Sequence, residues 1–224
     1  MYQESENLLK IENLAVFRSD LPLFETIDFQ LISGEALQIS GTNGSGKTSL
    51  LRCLCGLSSR YSGSIYWNGK LISSNTHDIH KQILYLGHAL GLKPRLTVNQ
   101  NLSFYQQLRF DADQPSIHRA LKALKIENYL DEQVANLSAG QKRRVALARI
   151  ISEPVKLWIL DEPMVALDTD GQAWLEEVCN QHLSKGGLII LTSHQPLKGI
   201  DNLTSLTLQP ADLNAFYKRL GEQE

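Results

Sequence analysis

The eight residues Gly41-Thr42-Asn43-Gly44-Ser45-Gly46-Lys47-Thr48 limit the possible folds more than any other feature of this chain. They satisfy G-x-x-x-x-G-K-[ST] at every fixed position. The short stretch Glu35–Ser40 leads into them, and Ser49–Leu57 leads out with Leu50, Leu51 and Leu54 at helical spacing. Strand, glycine loop and helix is the context the pattern requires. The glycines let backbone N–H groups close around a phosphate chain, and the N-terminus of the following helix adds a favourable dipole. In that geometry Lys47 presents a point charge to the β- and γ-phosphates of a nucleotide, and the Thr48 hydroxyl is a ligand for Mg²⁺.

The rest of the chain reads as α/β. Leu8–Phe17, Phe24–Ile32, Glu35–Ser40 and Ser64–Asn68 alternate apolar and polar residues and predict strands, several of them antiparallel. Val98–Arg109 and Ser116–Leu124 carry apolar residues at helical spacing, Ile117, Ala120, Leu121 and Leu124 among them. Leu157–Leu160 and Leu188–Thr192 are nearly unbroken apolar runs, as expected of parallel strands buried on both faces. The pattern predicts one domain, with a core formed by residues 1–88 and 151–224 and a helical lobe, residues 89–150, inserted into it.

A net charge of -2 implies no broad basic face, so nucleic acid is not an expected partner. Three cysteines, Cys53, Cys55 and Cys179, are too few for a disulfide framework and fit a reducing compartment. The opening residues MYQESENLLK lack the basic start and apolar stretch of a secretory signal, and the apolar runs are too short to cross a bilayer. Cys53 and Cys55 lie two apart on a predicted helix and so point to different faces; a shared metal is not expected. His77-x-x-His80 is read as a solvated turn.

Two more segments carry chemistry. Leu157-Trp158-Ile159-Leu160-Asp161-Glu162-Pro163 is an apolar strand that ends in two acids, where ligands gather in a parallel sheet. Asp161 there can complete a Mg²⁺ shell, and Glu162 can orient and polarise an attacking water. Leu137-Ser138-Ala139-Gly140-Gln141 precedes a helix expected over Lys142–Ser152, and Ser138 and Gln141 form an S-x-x-Q capping box. Gly140 costs stability in a first helical turn. Its presence suggests close approach to another group, and an exposed helix start is a second anion site.

Taken together, these motifs resemble the ATP-binding-cassette (ABC) ATPases over nearly the whole chain, and so imply the P-loop ABC cassette: a mixed central sheet, an antiparallel β subdomain and an inserted helical subdomain. Ser138-Ala139-Gly140-Gln141 is similar to the family's signature segment, with Ala139 in place of its first glycine. The resemblance makes Lys47 and Thr48 the phosphate-loop pair, Asp161 the Mg²⁺ acid, Glu162 the catalytic base and His194 the switch histidine. Ala166-Leu167-Asp168 resembles the D-loop that crosses the dimer interface. It also implies a head-to-tail homodimer, in which Ser138 and Gly140 of one subunit cap ATP held by the other.

There are two departures from the family pattern. After Ile83–Gly87 stands His88 where relatives carry glutamine; His88 is expected to do that residue's sensing work beside the metal and the γ-phosphate. Near residue 18 the adenine-stacking tyrosine is missing, which leaves Phe17 or Arg18 as alternatives for the base. Within the family, GTNGSGKTSLLR, YLGHALGLKPRLTVNQNLSFY, LSAGQKRRVALAR, LWILDEP and LTSHQPL are similar to the ATPase subunits of cytochrome c maturation (haem exporter) systems. Met164 stands where that branch is expected to carry phenylalanine. This resemblance implies an integral membrane permease partner and a peripheral place on the cytoplasmic face of the bacterial inner membrane. ATP and Mg²⁺ are the expected ligands; direct haem binding is not expected, since no C-x-x-C-H attachment motif occurs. The alternatives are an ABC ATPase serving another small substrate and a soluble non-transport ABC ATPase.

Overall fold

A computed structural model of the chain describes residues 8–74, 79–110, 113–193, 197–214 and 216. Five strands form an antiparallel sheet: β1 (Leu8–Arg18), β2 (Leu21–Pro22), β3 (Ile27–Ile32), β5 (Tyr61–Trp67) and β6 (Lys70–Leu71). Five others form a second sheet: β4 (Ala36–Ser40), β7 (Ile83–Leu86), β8 (Leu157–Leu160), β9 (Leu188–Thr192) and β10 (Leu203–Thr207). Its order is β10-β4-β9-β8-β7, and every pairing in it is parallel. All its C-terminal strand ends therefore lie along one edge, with those of β4, β9 and β8 side by side.

The apolar runs of β8 and β9 divide by parity. Trp158, Leu160, Ile189 and Leu191 pack into one core with Leu84 and Leu86 of β7; Leu157, Ile159, Leu188 and Ile190 pack into a second core on the opposite face. Burial on both faces is why these strands lack alternation. The second core also holds the antiparallel sheet's Leu9, Ile11, Leu14 and Ile65, and Leu50, Leu51 and Leu54 of α1 (Lys47–Leu54). The first core takes the buried faces of α2 (Val98–Gln107), α3 (Gln114–Ala123), α4 (Ala139–Ser152) and α5 (Thr169–Ser184). The end of α2 is joined to the parallel sheet by Arg109, whose guanidinium donates to the Ile83 carbonyl (2.7 Å) and to fully buried Glu153 (3.2 Å).

Several boundaries differ from the sequence expectation. The helix expected over Ser49–Leu57 is α1, which begins two residues earlier because Gly46 caps it in the left-handed region (φ 97°). It ends at Leu54 because Gly56 turns the chain away at φ 68°. The strand expected from Phe24 begins at Ile27; Phe24, 1% exposed, makes an isolated bridge to Pro210 instead. Glu35–Ser40, grouped by sequence with the first strands, yields β4 in the parallel sheet. The three cysteines are free and buried. No helix among the described residues is long and apolar enough to cross a membrane.

Candidate functional site

Residues 41–48 span the end of β4 and the start of α1. Gly41, Gly44 and Gly46 all take positive φ (149°, 83° and 97°), so the loop curls back on itself. At Gly46 a side chain would press within 3.0 Å of Leu23 and Phe24 as well as strain the backbone. Lys47, 7% exposed, folds over the loop and donates to the carbonyls of Gly41 (2.8 Å) and Thr42 (3.1 Å). No side chain caps α1, so its first N–H groups are open to an anion. The hydroxyl of Ser45 is buried without a hydrogen-bond partner, an orphan that a phosphate oxygen would satisfy. Thr42, Asn43 and Gly44 line the outer part of the loop, and all three are exposed.

Beside the loop, the ends of β8 and β9 supply the acids and their supports. Thr48 Oγ1 donates to Asp161 Oδ2 (2.8 Å), Thr192 Oγ1 donates to Asp161 Oδ1 (2.7 Å), and the Glu162 N–H donates to Thr192 Oγ1 (2.8 Å). Asp161 is 2% exposed, and its own N–H donates to Leu86 at the end of β7 (2.7 Å). Thr48 and Asp161 are hard oxygen donors, already adjacent, and this donor chemistry fits Mg²⁺. Glu162 sits at φ 51°, the left-handed region, where a non-glycine residue needs support. Its carbonyl accepts from the Val165 N–H (3.2 Å) and from the Arg143 guanidinium (2.5 Å). Burial pushes the Arg143 guanidinium below its usual range, and the carboxylates of Asp161 and Glu162 oppose that shift. Glu162, Thr192 and Ser193 open onto a cavity of about 540 Å³, also bordered by Ala166 and Lys198.

The start of α4 carries the capping box expected from sequence. Ser138 Oγ accepts from the Gln141 N–H (3.2 Å), and Gln141 Oε1 accepts from the Ser138 N–H (2.8 Å). Ser138 and Ala139 are exposed, so Ala139 presents its methyl group outward, and Gly140 lies 4.0 Å from the Ala166 carbonyl at the position a Cβ would take. Among the described residues no hydrogen bond joins residues 138–141 to the phosphate loop of the same chain. Asp168 caps α5 by accepting from the Gly171 N–H (3.0 Å), a bond that leads in holding its carboxyl below the usual range. It also accepts two bonds from Arg144 of α4 (3.0 and 2.8 Å).

Phe17, half-buried, and Arg18, exposed, end β1 and line a cleft of about 490 Å³ with Ser49, Arg52 and Arg60. Ser49 follows Thr48, which places this cleft next to the phosphate loop. His88 is exposed two residues beyond Leu86, the acceptor of the Asp161 N–H. His194 and His77 lie outside the described residues. His80 Nε2 donates to the Cys55 carbonyl (2.8 Å). Burial raises the thiols of Cys53 and Cys55, so neither is a ready thiolate. Trp158 stacks on His182 (ring centroids 3.7 Å, 8° between planes).

Two residues of this site escape sequence reasoning. Thr192 is the hub between Asp161 and Glu162; its signal is a hydroxyl at the end of an otherwise apolar buried strand. Arg143 fixes the Glu162 carbonyl; its only signal is one of two adjacent arginines on a capped helix.

The pattern that defines the family described as ABC transporter matches residues 24–165. The cytochrome c biogenesis ATP-binding export protein CcmA of Vibrio vulnificus (strain YJ016) is 44% identical over 191 residues, 85% of this chain and 93% of that protein. The protein of that name from Yersinia pestis bv. Antiqua (strain Nepal516) is 43% identical over 195 residues, 87% of this chain and 89% of that protein. Among solved structures, a putative ABC transporter ATP-binding protein from Pyrococcus furiosus superimposes with a TM-score of 0.78 at 26% identity, covering 89% of this chain and 97% of that one. An ATP-binding subunit of an ABC transporter gives a TM-score of 0.80 at 23% identity, covering 96% and 93%, and so shares the fold. This chain belongs to the ABC transporter family, among the cytochrome c biogenesis ATP-binding export proteins.

Proposed function

We propose that this chain binds and hydrolyses ATP as the motor subunit of a membrane export complex serving haem handling in c-type cytochrome biogenesis. The observation that carries the reading is the continuous chain of hydrogen bonds Thr48–Asp161–Thr192–Glu162 beside a glycine loop closed by Lys47. The loop and the α1 N-terminus hold the β- and γ-phosphates, and Lys47 exchanges its two carbonyl partners for phosphate oxygens. Thr48 and Asp161 would hold Mg²⁺, which when bound neutralises phosphate charge. Glu162 orients a water toward the γ-phosphorus and polarises it, and His194 and His88 contact the γ-phosphate side of the site. Phe17 or Arg18 supports the base.

The single domain works as two parts, residues 1–88 with 151–224 as the core and 89–150 as the helical lobe. Two copies pair head to tail, so that Ser138, Ala139, Gly140 and Gln141 of one cap ATP held by the other, with Asp168 near the crossing. ATP thus draws the subunits together, and loss of the γ-phosphate releases them. The complex places this subunit peripherally on the cytoplasmic face of the inner membrane, beneath an integral membrane partner. A groove of about 870 Å³ lined by Ala89, Leu90, Leu92, Lys93 and Arg95 is the surface offered to that partner.

The test is to purify Glu162→Gln from its native membranes with ATP present and identify what accompanies it. A membrane subunit of cytochrome c maturation is the expected companion. An unrelated permease would leave the ATPase and remove the haem link; a dimer carrying nucleic acid or ribosomes would contradict the transport reading. Charge reversal at Lys93 or Arg95 is expected to weaken recruitment to membranes, and unchanged recruitment would move the docking surface elsewhere.

A further inference from the structure

We infer that Arg143 is a positioning residue for Glu162, tying the carboxylate that handles water to the helix α4 that begins with the signature segment. The inference rests on the reading of Glu162 and of the head-to-tail dimer given above.

The geometry starts with a strained residue. Glu162 is held at φ 51°, and both its backbone polar atoms are tethered. Its N–H is fixed by Thr192, which belongs to the rigid parallel sheet. Its carbonyl accepts from Val165, closing a turn through Pro163, and from Arg143 at 2.5 Å. The sheet alone thus fixes one side of the residue, and α4 fixes the other.

Arg143 is 8% exposed, and its Nε–H is buried without a hydrogen-bond partner. Burying a guanidinium with one donor unpaired costs stability, a cost only partly offset by its bond to the Glu162 carbonyl. The next residue, Arg144, reaches the far end of the same segment and grips Asp168 with two hydrogen bonds. Two consecutive side chains of α4 therefore hold both ends of residues 162–168. Gly140, in the first turn of α4, lies against Ala166 in the middle of that segment.

The consequence is a link between two nucleotides. The start of α4 faces ATP bound to the partner, whereas Glu162 of the same chain acts on its own ATP. A small displacement of α4 moves the Glu162 carbonyl through Arg143 and reorients the carboxylate. Each chain then hydrolyses efficiently only when its own α4 is seated on the partner's nucleotide, and the two sites fire cooperatively.

The experiment uses the full-length chain together with the membrane subunits that co-purify with it. Steady-state ATPase, ATP affinity and melting temperature are measured for Arg143→Met, which keeps bulk and loses the donors, and for Arg143→Lys, which keeps a donor and the charge. Arg143→Met is expected to lower kcat at least tenfold and bring the Hill coefficient toward 1, with ATP affinity within twofold of wild type. Arg143→Lys is expected to recover most of kcat. If Arg143→Met does not fold, Arg143→Gln carries the same prediction in smaller measure, lower kcat with affinity and melting temperature held. An unchanged kcat and Hill coefficient would overturn the inference, as would parallel losses of kcat, affinity and melting temperature that lysine does not rescue. Failure of wild type itself to hydrolyse ATP cooperatively would instead strike the dimer reading on which the inference stands.

Discussion

Thr192 uses one hydroxyl for two tasks, donating to Asp161 and accepting from the Glu162 N–H. Thr192→Val keeps the shape and removes both bonds, leaving the half-buried Glu162 N–H and the buried Asp161 carboxylate short of partners. The expected cost is about 1–3 kcal/mol of stability, the range for an orphaned buried polar group. ATPase turnover should fall about 10- to 100-fold, in the range of a lost positioning contact. Thr192→Ser should restore most of both, and denaturant titration with an ATPase assay reads the two effects apart; equal activity in valine and threonine forms would remove the hub. At Lys47, alanine is expected to abolish measurable ATP binding while the fold persists, since its partners Gly41 and Thr42 are carbonyls of an exposed-side loop. At this scale the sequence was readable where spacing is itself the chemistry: Gly41 to Thr48, Asp161, Glu162 and the Ser138–Gln141 box. Thr192 was not, because its importance depends on which strand ends lie side by side, which the order β4-β9-β8 reveals; Arg143 was not, because only the seating of α4 against the segment after β8 brings it to the Glu162 carbonyl.

At the scale of elements, the contact of α5 with β8 and β9 turns on His182. Its ring stacks on Trp158, its Nε2 bonds the Lys156 carbonyl (3.1 Å), and burial pushes its pKa down to about 4. Between about pH 6.5, the value in an unfolded chain, and about pH 4, the unfolded state takes up a proton that the folded state refuses. Stability therefore falls as pH drops through this window, and the loss is complete below about 4. His182→Phe keeps a ring on Trp158 and removes the titrating group, so melting temperatures measured from pH 7 to 4.5 should lose part of their pH dependence. An unflattened curve would place the acid sensitivity elsewhere. The same ring explains Gly187: a Cβ there would lie 2.2 Å from His182 Nε2, so Gly187→Ala should cost about 1–3 kcal/mol as overpacking. Ser138→Ala should remove about 1 kcal/mol of helix capping. A larger loss of ATPase than of stability would fit a second task at the nucleotide. The elements themselves were legible from the hydrophobic pattern, with β8 and β9 read to the residue from their unbroken apolar runs. Boundaries at α1 and β3 were not, because a left-handed glycine cap and a lone bridge from Phe24 to Pro210 are settled by backbone geometry and distant partners.

Across the whole molecule, one parallel sheet separates two cores, and phosphate loop, acids and hub share the edge formed by its C-terminal strand ends, while Gly140 and Arg143 of α4 meet the segment that follows β8. On the reading proposed above, Ser138–Gln141 and the phosphate loop come together only when two copies pair. The most direct measurement is sedimentation of Glu162→Gln with and without ATP and Mg²⁺, with bound nucleotide counted per chain and turnover recorded beside wild type. The account predicts a monomer without nucleotide, a dimer with one ATP per chain, and turnover reduced by at least a hundredfold. A chain that stays monomeric with ATP bound, or a variant that hydrolyses ATP at the wild-type rate, would contradict it.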